Sequence, residues 1–162
     1  MSPVISAEQA AWMQSGVSSI IVASRSDALR PSLGLAFGCR VSESRGEVVV
    51  FLREAQSYDL LTDLRAGRQV SVLFTQSTTT RALQLKALRA REVPLAADDK
   101  ELLDRYTAAL VDEWTLLGQP QAFTSALMCR EADALVAFAV APHEAFDQTP
   151  GPRAGSLLGP AT

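Results

Sequence analysis

The segment from Ser32 to Ser42 alternates between two residue classes at every position, which is the period of a β-strand and not of a helix. One face of this predicted strand carries mostly small residues and includes Gly34 and Gly38. Because glycine weakens a strand interior, two glycines on one face indicate that another group lies close to the backbone. That group is a ligand or a partner subunit, or else the strand is sharply coiled. The apolar face consists of Leu33, Leu35, Phe37, Cys39 and Val41.

Further strands flank this segment, and short helices interrupt them. The predicted strands are 17–24, 47–53, 69–76, 81–93 and 134–141. The predicted helices are 7–15, 57–66, one between Asp98 and Gly118, and 122–129. Ser6 and Gln9 form a capping box for the first helix, which should end at Gly16. Adjacent antiparallel strands with few helices predict a mainly β, α+β fold: a small barrel with helices packed on the outside.

Length and charge restrict the class of protein. The 162 residues fit a single domain, 1–162, with a helical segment at 1–16 and an extended, Pro/Gly-rich tail at 142–162. A net charge of −3 argues against a nucleic-acid-binding protein. No apolar run reaches the ~20 residues of a membrane span, and the first residues lack the pattern of a signal peptide. We therefore expect a cytoplasmic protein without membrane partners.

The tail and the few metal-binding residue types add two expectations. The tail should be ordered against the barrel or a partner subunit, because Phe146 would otherwise lie in solvent. Cys39 and Cys129 are far apart and are expected to be reduced, structural thiols. The single histidine, His143, lies in the tail with no spacing typical of a catalytic triad. The sequence therefore nominates no catalytic side chain and no metal ligand.

The order of elements between residues 30 and 74 resembles the pyridoxamine 5′-phosphate oxidase-like family of split-barrel flavoproteins. The strand at 83–90 resembles the family segment that crosses beside the flavin, and the tail at 146–152 resembles that of a poorly characterised subgroup. The resemblance covers roughly residues 17–155. The shared succession is a strand opening at a proline, a hairpin, a strand, a short helix and another strand, namely Pro31, Arg45-Gly46, Val48–Leu52, Leu60–Leu64 and Val70–Phe74.

The resemblance implies a six-stranded antiparallel split β-barrel that works as a homodimer. It also implies two flavin mononucleotide (FMN) sites at the subunit interface, each with a basic cluster around the phosphate. The cofactor of such a protein carries out hydride or electron transfer, so the implied activity is that of a flavin-dependent oxidoreductase acting on an unknown small molecule.

The sequence departs from the family at the cations that hold the phosphate. Flavin-binding members usually carry Arg and Lys on the strand matching 32–41, and Arg-Lys or Ser-Arg-Lys at the start of the next helix. Here the strand positions fall at Gly34 and at Cys39 or Arg40, and the helix start at 57–59 reads Ser-Tyr-Asp. A phosphate needs cations or several N–H donors to replace its water.

Other side chains compensate in the predicted site. Arg53 or Arg40 would supply the cation, beside the free amides of the helix that begins at Ser57. Gln84 can donate to and accept from the flavin pyrimidine edge. A helix cap, turn residues and exposed strand faces explain the same residues without a ligand. The predicted cofactor-binding residues are Arg40, Arg53, Ser57, Thr79, Thr80, Arg81, Gln84 and Lys86.

Two functions remain open at this point. The first is an FMN-binding protein with oxidoreductase character. The alternative is a flavin-less split-barrel dimer that binds another planar ligand, such as a deazaflavin or haem, or has no catalytic activity.

Overall fold

The structure is a computed structural model that describes residues 3–128 and 134–159. Cys129, the end of the helix predicted at 122–129 and the last tail residues lie outside the described residues. The helices are α1 (Ala7–Gln14), α2 (Tyr58–Arg65), α3 (Asp99–Thr115) and α4 (Gln121–Leu127). The strands are β1 (Ser18–Arg25), β2 (Pro31–Val41), β3 (Val48–Arg53), β4 (Val70–Gln76), β5 (Ala82–Ala87), β6 (Ala90–Val93), β7 (Leu135–Val140), β8 (Glu144–Asp147) and β9 (Ser156–Leu157).

All nine strands found in the described residues belong to one antiparallel sheet, in the order β6-β7-β3-β2-β1-β4-β5-β8-β9. The mainly β, α+β class is therefore confirmed, but the strand count exceeds the predicted six. One reason is that the strand predicted at 81–93 breaks at Leu88 and Arg89, so that β5 pairs with β4 whereas β6 pairs with β7. The other reason is that the tail contributes β8 and β9.

The curled sheet encloses the larger apolar core on its inner side. Ile20, Val22 and Val72 are fully buried there. Met13 of α1 and Leu60 of α2 pack into the same core and cover its openings. Ser6 and Gln9 form the predicted capping box of α1 through reciprocal hydrogen bonds of 3.1 and 2.8 Å.

A second, smaller core lies on the outer side of β2, β3 and β7, beneath α3 and α4. Phe37 and Phe51 from the sheet meet Leu103 and Leu110 from α3 in this cluster. Tyr106 of α3 also donates a hydrogen bond of 2.6 Å from its hydroxyl to the Ser18 carbonyl oxygen. The helices thus pack against only one part of the outer side.

The strict alternation predicted along β2 fails after Phe37. The pairing of β2 with β3 shifts register between Ala36 and Cys39, which indicates a β-bulge. Leu33 consequently faces outward and is 67% exposed, whereas Cys39 belongs to the inner core. The bulge therefore moves Cys39 off the outer face that carries Leu33, Leu35 and Phe37 and into the inner core.

The two glycines of β2 are approached by helices of the same chain, which corrects the expected ligand or partner. A Cβ atom on Gly34 would lie 3.1 Å from the Ser57 Oγ and from the Leu60 side chain. A Cβ atom on Gly38 would lie 2.7 Å from the Leu103 side chain. Both glycines are therefore explained by helix packing.

The tail is ordered against the barrel, as predicted. β8 pairs with β5 in the register Leu83 opposite Asp147 and Lys86 opposite Glu144. Beyond β8, the Gln148 amide donates a 2.9 Å hydrogen bond to the Ala82 carbonyl oxygen. The sheet is thereby extended past β5.

Gly16 combines a left-handed backbone with a close helix contact, and we predict that Gly16→Ala destabilises the fold strongly. Its φ is +85°, and an added Cβ would lie 2.8 Å from the Ala109 Cβ and 3.0 Å from the Tyr106 backbone. The left-handed conformation costs ~1–2 kcal/mol for alanine, and overpacking adds ~1–3 kcal/mol. Urea unfolding monitored by circular dichroism measures the change in the free energy of unfolding.

Gly67→Ala is the matched control for this measurement. Gly67 has a φ of +72°, and no described atom lies within 4 Å of an added Cβ. The Gly67→Ala variant should therefore lose only the ~1–2 kcal/mol of unfolding free energy that the left-handed conformation costs alanine. Equal losses for the two variants would contradict the close packing of α3 against Gly16.

Candidate functional site

Two rows of side chains cross the outer side of β2, β1, β4, β5 and β8. Leu33 is largely exposed, and Ile21, Leu35 and Leu73 are each only partly buried. The strand register places neighbouring side chains next to each other across the five strands. The first row is Leu33, Ala23, Ser71, Lys86 and Glu144, and the second is Leu35, Ile21, Leu73, Gln84 and Phe146.

A cavity of about 590 Å³ lies at one end of these rows, and we call it the outer groove. This volume falls within the roughly 300–1,000 Å³ typical of small-molecule sites. Its walls combine apolar side chains with two cations, a carboxylate and the single histidine. The lining residues are Ala23, Ser24, Arg25, Leu29, Pro31, Gln69, Val70, Ser71, Lys86, Ala87, His143 and Glu144.

Hydrogen bonds fix the polar side chains beside the outer groove. The Gln84 side-chain Nε2 donates to the Ser71 Oγ over 2.8 Å. The Gln148 side-chain Nε2 in turn donates to the Gln84 Oε1 over 2.9 Å. The Lys86 Nζ lies 4.4 Å from the centroid of the Phe146 ring. Gln84 and Lys86, two of the predicted site residues, therefore lie together at the outer groove and its edge.

Arg53 and Ser57, a second pair of predicted residues, lie at the end of β3 and the start of α2. The Arg53 guanidinium carbon lies 4.5 Å from the centroid of the Phe37 ring, and the side chain is buried. Ser57 occupies the N-cap position of α2 without a side-chain capping hydrogen bond, and its Oγ faces Gly34. The first turn of α2 carries an acidic residue, Asp59.

Thr79, Thr80 and Arg81 form part of the turn between β4 and β5. The Arg81 guanidinium carbon lies 4.5 Å from the centroid of the Trp12 ring, and its NH2 group lies 3.0 Å from a Glu8 carboxylate oxygen. Arg81 is therefore directed towards α1.

Arg40, the remaining predicted residue, pairs with the start of α3. Its Nε lies 3.3 Å from the Asp99 Oδ1, and the Asp99 side chain is buried. The structure thus does not gather the eight residues into one cluster: Gln84 lies with Lys86, Arg53 with Ser57, and Arg81 with the two threonines. A role of each in binding a cofactor stays a prediction.

The start of α2 and the β4–β5 turn are well separated along β1. The start of α2 lies against Gly34, which pairs with Val22, whereas the β4–β5 turn follows Gln76, which pairs with Ser18. Four residues of β1 separate these points, a distance of ~13 Å for an extended strand. A single phosphate group cannot contact both places directly.

Of the residues that line the outer groove, sequence reasoning nominated only Lys86, and it missed Arg25 and His143 among others. Arg25 is the last residue of β1, and nothing in its local pattern distinguishes it from an ordinary strand end. His143 was assigned to an extended tail, but its amide donates a 3.0 Å hydrogen bond to the Lys86 carbonyl oxygen, so it lies at the groove. The pairing of β8 with β5 is long-range and leaves no local sequence signal.

Cys39 is a free, fully buried thiol, as predicted for a structural cysteine. Burial raises the pKa of its thiol far above the ordinary value. Because the thiolate is the nucleophilic form, Cys39 is unsuited to covalent chemistry at neutral pH.

Asp147, beside the groove strands, is held as a carboxylate. Hydrogen bonds from Thr149, together with the nearby charges of Arg153 and Arg81, lower its pKa. Asp147 therefore helps to hold the turn after β8 and is not a proton donor at neutral pH. Among the described residues, none of the helices has the length and apolar character needed to cross a membrane.

Proteins of known structure share the fold of this chain. Neither a protein-family model nor a curated protein matches the chain. An F420 reductase superposes with a TM-score of 0.54 at 15% identity, covering 83% of this chain and 94% of that one. HupZ from Group A Streptococcus superposes with a TM-score of 0.51 at 13% identity, covering 89% and 97%.

A pyridoxamine 5′-phosphate oxidase-related, FMN-binding protein from Nostoc punctiforme is also similar. Its TM-score is 0.48 at 9% identity, with coverage of 90% of this chain and 83% of that one. At such identities the likeness concerns the fold alone. The chain shares the fold of the F420 reductase and of HupZ.

Proposed function

We propose that the protein binds a flat, flavin-type cofactor in the outer groove and works as a homodimer, with FMN as the first candidate. The cofactor would supply hydride or electron transfer, which gives the protein the character of an oxidoreductase. The chain's own residues would bind and orient the cofactor, and no side chain is assigned to catalysis.

The composition of the outer groove is the observation that carries this proposal. Ligand sites are mostly apolar, with a few polar groups that fix the orientation of the ligand. Ala23, Leu29 and Pro31 offer apolar surface for a ring, while Ser71 and Lys86 offer polar contacts. Gln84, in the next row, is held beside these contacts by hydrogen bonds to Ser71 and Gln148, and an amide can donate to and accept from the pyrimidine edge of a flavin.

The similarity to an F420 reductase supports the same class of ligand. F420 is a deazaflavin, which shares with FMN a flat tricyclic ring and an anionic tail. A groove with apolar walls and cations suits either molecule, so both belong in the binding test.

The homodimer is proposed from the apolar rows beside the groove. Leu33, Leu35, Ile21 and Leu73 form a continuous apolar surface that remains partly or largely exposed in the single chain. A contiguous apolar patch of this kind is typical of an interaction site, and a second copy offers a self-complementary surface. Such a dimer would also cover the edge of the outer groove.

We predict that the wild type sediments as a dimer at micromolar concentration and that Leu33→Glu shifts it to monomers. Leu33 is 67% exposed, so the fold should tolerate a charge there, whereas an interface would not. Leu116→Glu is the control, because Leu116 is 77% exposed at the end of α3, away from this surface. A monomeric wild type in sedimentation velocity would contradict the dimer.

We predict that FMN binds to the wild type with micromolar affinity and that Ala23→Trp weakens binding at least tenfold by filling the outer groove. Quenching of flavin fluorescence measures the affinity, with riboflavin and F420 titrated in parallel. Ala122→Trp, an exposed substitution on α4, should leave the affinity unchanged. Failure of all three molecules to bind at millimolar concentration would exclude the proposed function.

Haem is the second candidate, because the chain's single histidine lines the outer groove. Imidazole is a common axial ligand of haem iron, and the Arg25 and Lys86 cations could pair with the propionates. A Soret band that is lost in His143→Ala, together with the absence of flavin binding, would favour haem over flavin.

A further inference from the structure

We infer that Arg25 and Lys86 form an anion-binding end of the outer groove that selects ligands carrying a phosphate or carboxylate group. For flavins, this anion-binding end rests on the proposed function, because it would hold the phosphate of FMN. Because simple anions also test it, it can be judged separately from the identity of the cofactor.

The charge pairing of the chain points to these two residues. Most arginines of the described chain pair with carboxylates, but neither Arg25 nor Lys86 has a carboxylate oxygen within 4.0 Å among the described residues. Three turn residues, Arg30, Arg45 and Arg89, share this property but do not line the groove. The paired arginines are Arg40, Arg65, Arg68, Arg81, Arg91, Arg105 and Arg153.

The contacts of the two cations leave their charges available to a ligand. Among the residues that the structure describes, the Arg25 NH2 group donates only to the neutral Gln69 Oε1, over 3.4 Å. The Lys86 ammonium group lies 4.4 Å from the Phe146 ring, which orients it without neutralising it. An anion bound between them would replace water at both groups through charge-assisted hydrogen bonds.

The strand register brings the two side chains towards the same space. Ser71 pairs with Ala23 on one side and with Lys86 on the other, and Arg25 follows Ala23 on the same face. Two strand spacings, about 10 Å, therefore separate β1 from β5, and Arg25 lies a further two residues, ~7 Å, along β1 from the row of Ala23 and Lys86. The long side chains of arginine and lysine can reach a common anion across this gap.

The groove has an excess of positive charge in a chain whose net charge is −3. Its carboxylate, Glu144, lies 3.8 Å from the His143 Nε2. Asp27, on the neighbouring β1–β2 turn, is bound by Arg68. Two cations against one carboxylate favour an anionic ligand over a neutral or cationic one.

The alternative place for a phosphate, the start of α2, has the opposite charge. Glu54 precedes this helix and Asp59 lies in its first turn, while the Ser57 hydroxyl faces Gly34. Arg40 and Arg81 are engaged by Asp99 and Glu8. The cations that the family usually has at this helix are thus replaced, in our inference, by Arg25 and Lys86 on β1 and β5.

The apolar walls define the rest of the ligand. Ala23, Leu29 and Pro31 lie beside the cations, so the favoured ligand is amphipathic, with a flat apolar body and a terminal phosphate or carboxylate. Among flavins, this favours FMN over riboflavin, which has the same ring but no phosphate.

The test compares FMN with riboflavin in Arg25→Met and Lys86→Met. Each variant should lose about tenfold in FMN affinity, because a charge-assisted hydrogen bond disappears, and should keep its riboflavin affinity. Arg105→Met, which removes an exposed and paired arginine of α3, is the control and should change neither. Circular dichroism checks that the variants fold.

Inorganic pyrophosphate separates this inference from the proposed function. The wild type should bind pyrophosphate in isothermal titration calorimetry, and the double variant Arg25→Met/Lys86→Met should not. If neither flavin binds but pyrophosphate does, the anion site stands and the proposed cofactor fails. Unchanged FMN affinity in both single variants, or pyrophosphate binding that survives the double variant, would overturn the inference.

Discussion

The close packing of α2 and α3 against glycines determines which part of the barrel stays open. Leu103 and Tyr106 of α3 lie against Gly38, and α2 lies against Gly34. Because α3 and α4 cover the outer side of β2, β3 and β7, the outer side of β1, β4 and β5 is left with apolar and polar rows that remain accessible. The candidate site depends on this division of the sheet.

Much of the fold could be predicted from local sequence. Alternation located β2 and β4, runs of β-branched or apolar residues located β1, β3 and β7, and the capping box located α1, because these signals depend on residues close in the chain. The bulge after Phe37 and the break at Leu88 were not predictable, since they arise from how a strand must bend to meet two different neighbours. The pairing of the tail with β5 is likewise a long-range contact.

The candidate site was less predictable than the fold, because charge pairing is also long-range. Arg40 and Arg81 looked like free cations in the sequence, but each finds a carboxylate far along the chain, at Asp99 and Glu8. Gln84 and Lys86 were placed correctly on one strand face, yet their neighbour Arg25 escaped notice. A phosphate site is therefore better sought where cations lack carboxylates than where a family pattern expects them.

We propose that the outer groove, and not the start of α2, receives the ligand. Backbone amide chemical-shift mapping of the isotopically labelled protein during an FMN titration tests it most directly. We expect the largest shifts at Ala23, Arg25, Ser71 and Lys86. Shifts centred on Arg53 and on Ser57–Leu60, with the groove residues unmoved, would contradict it.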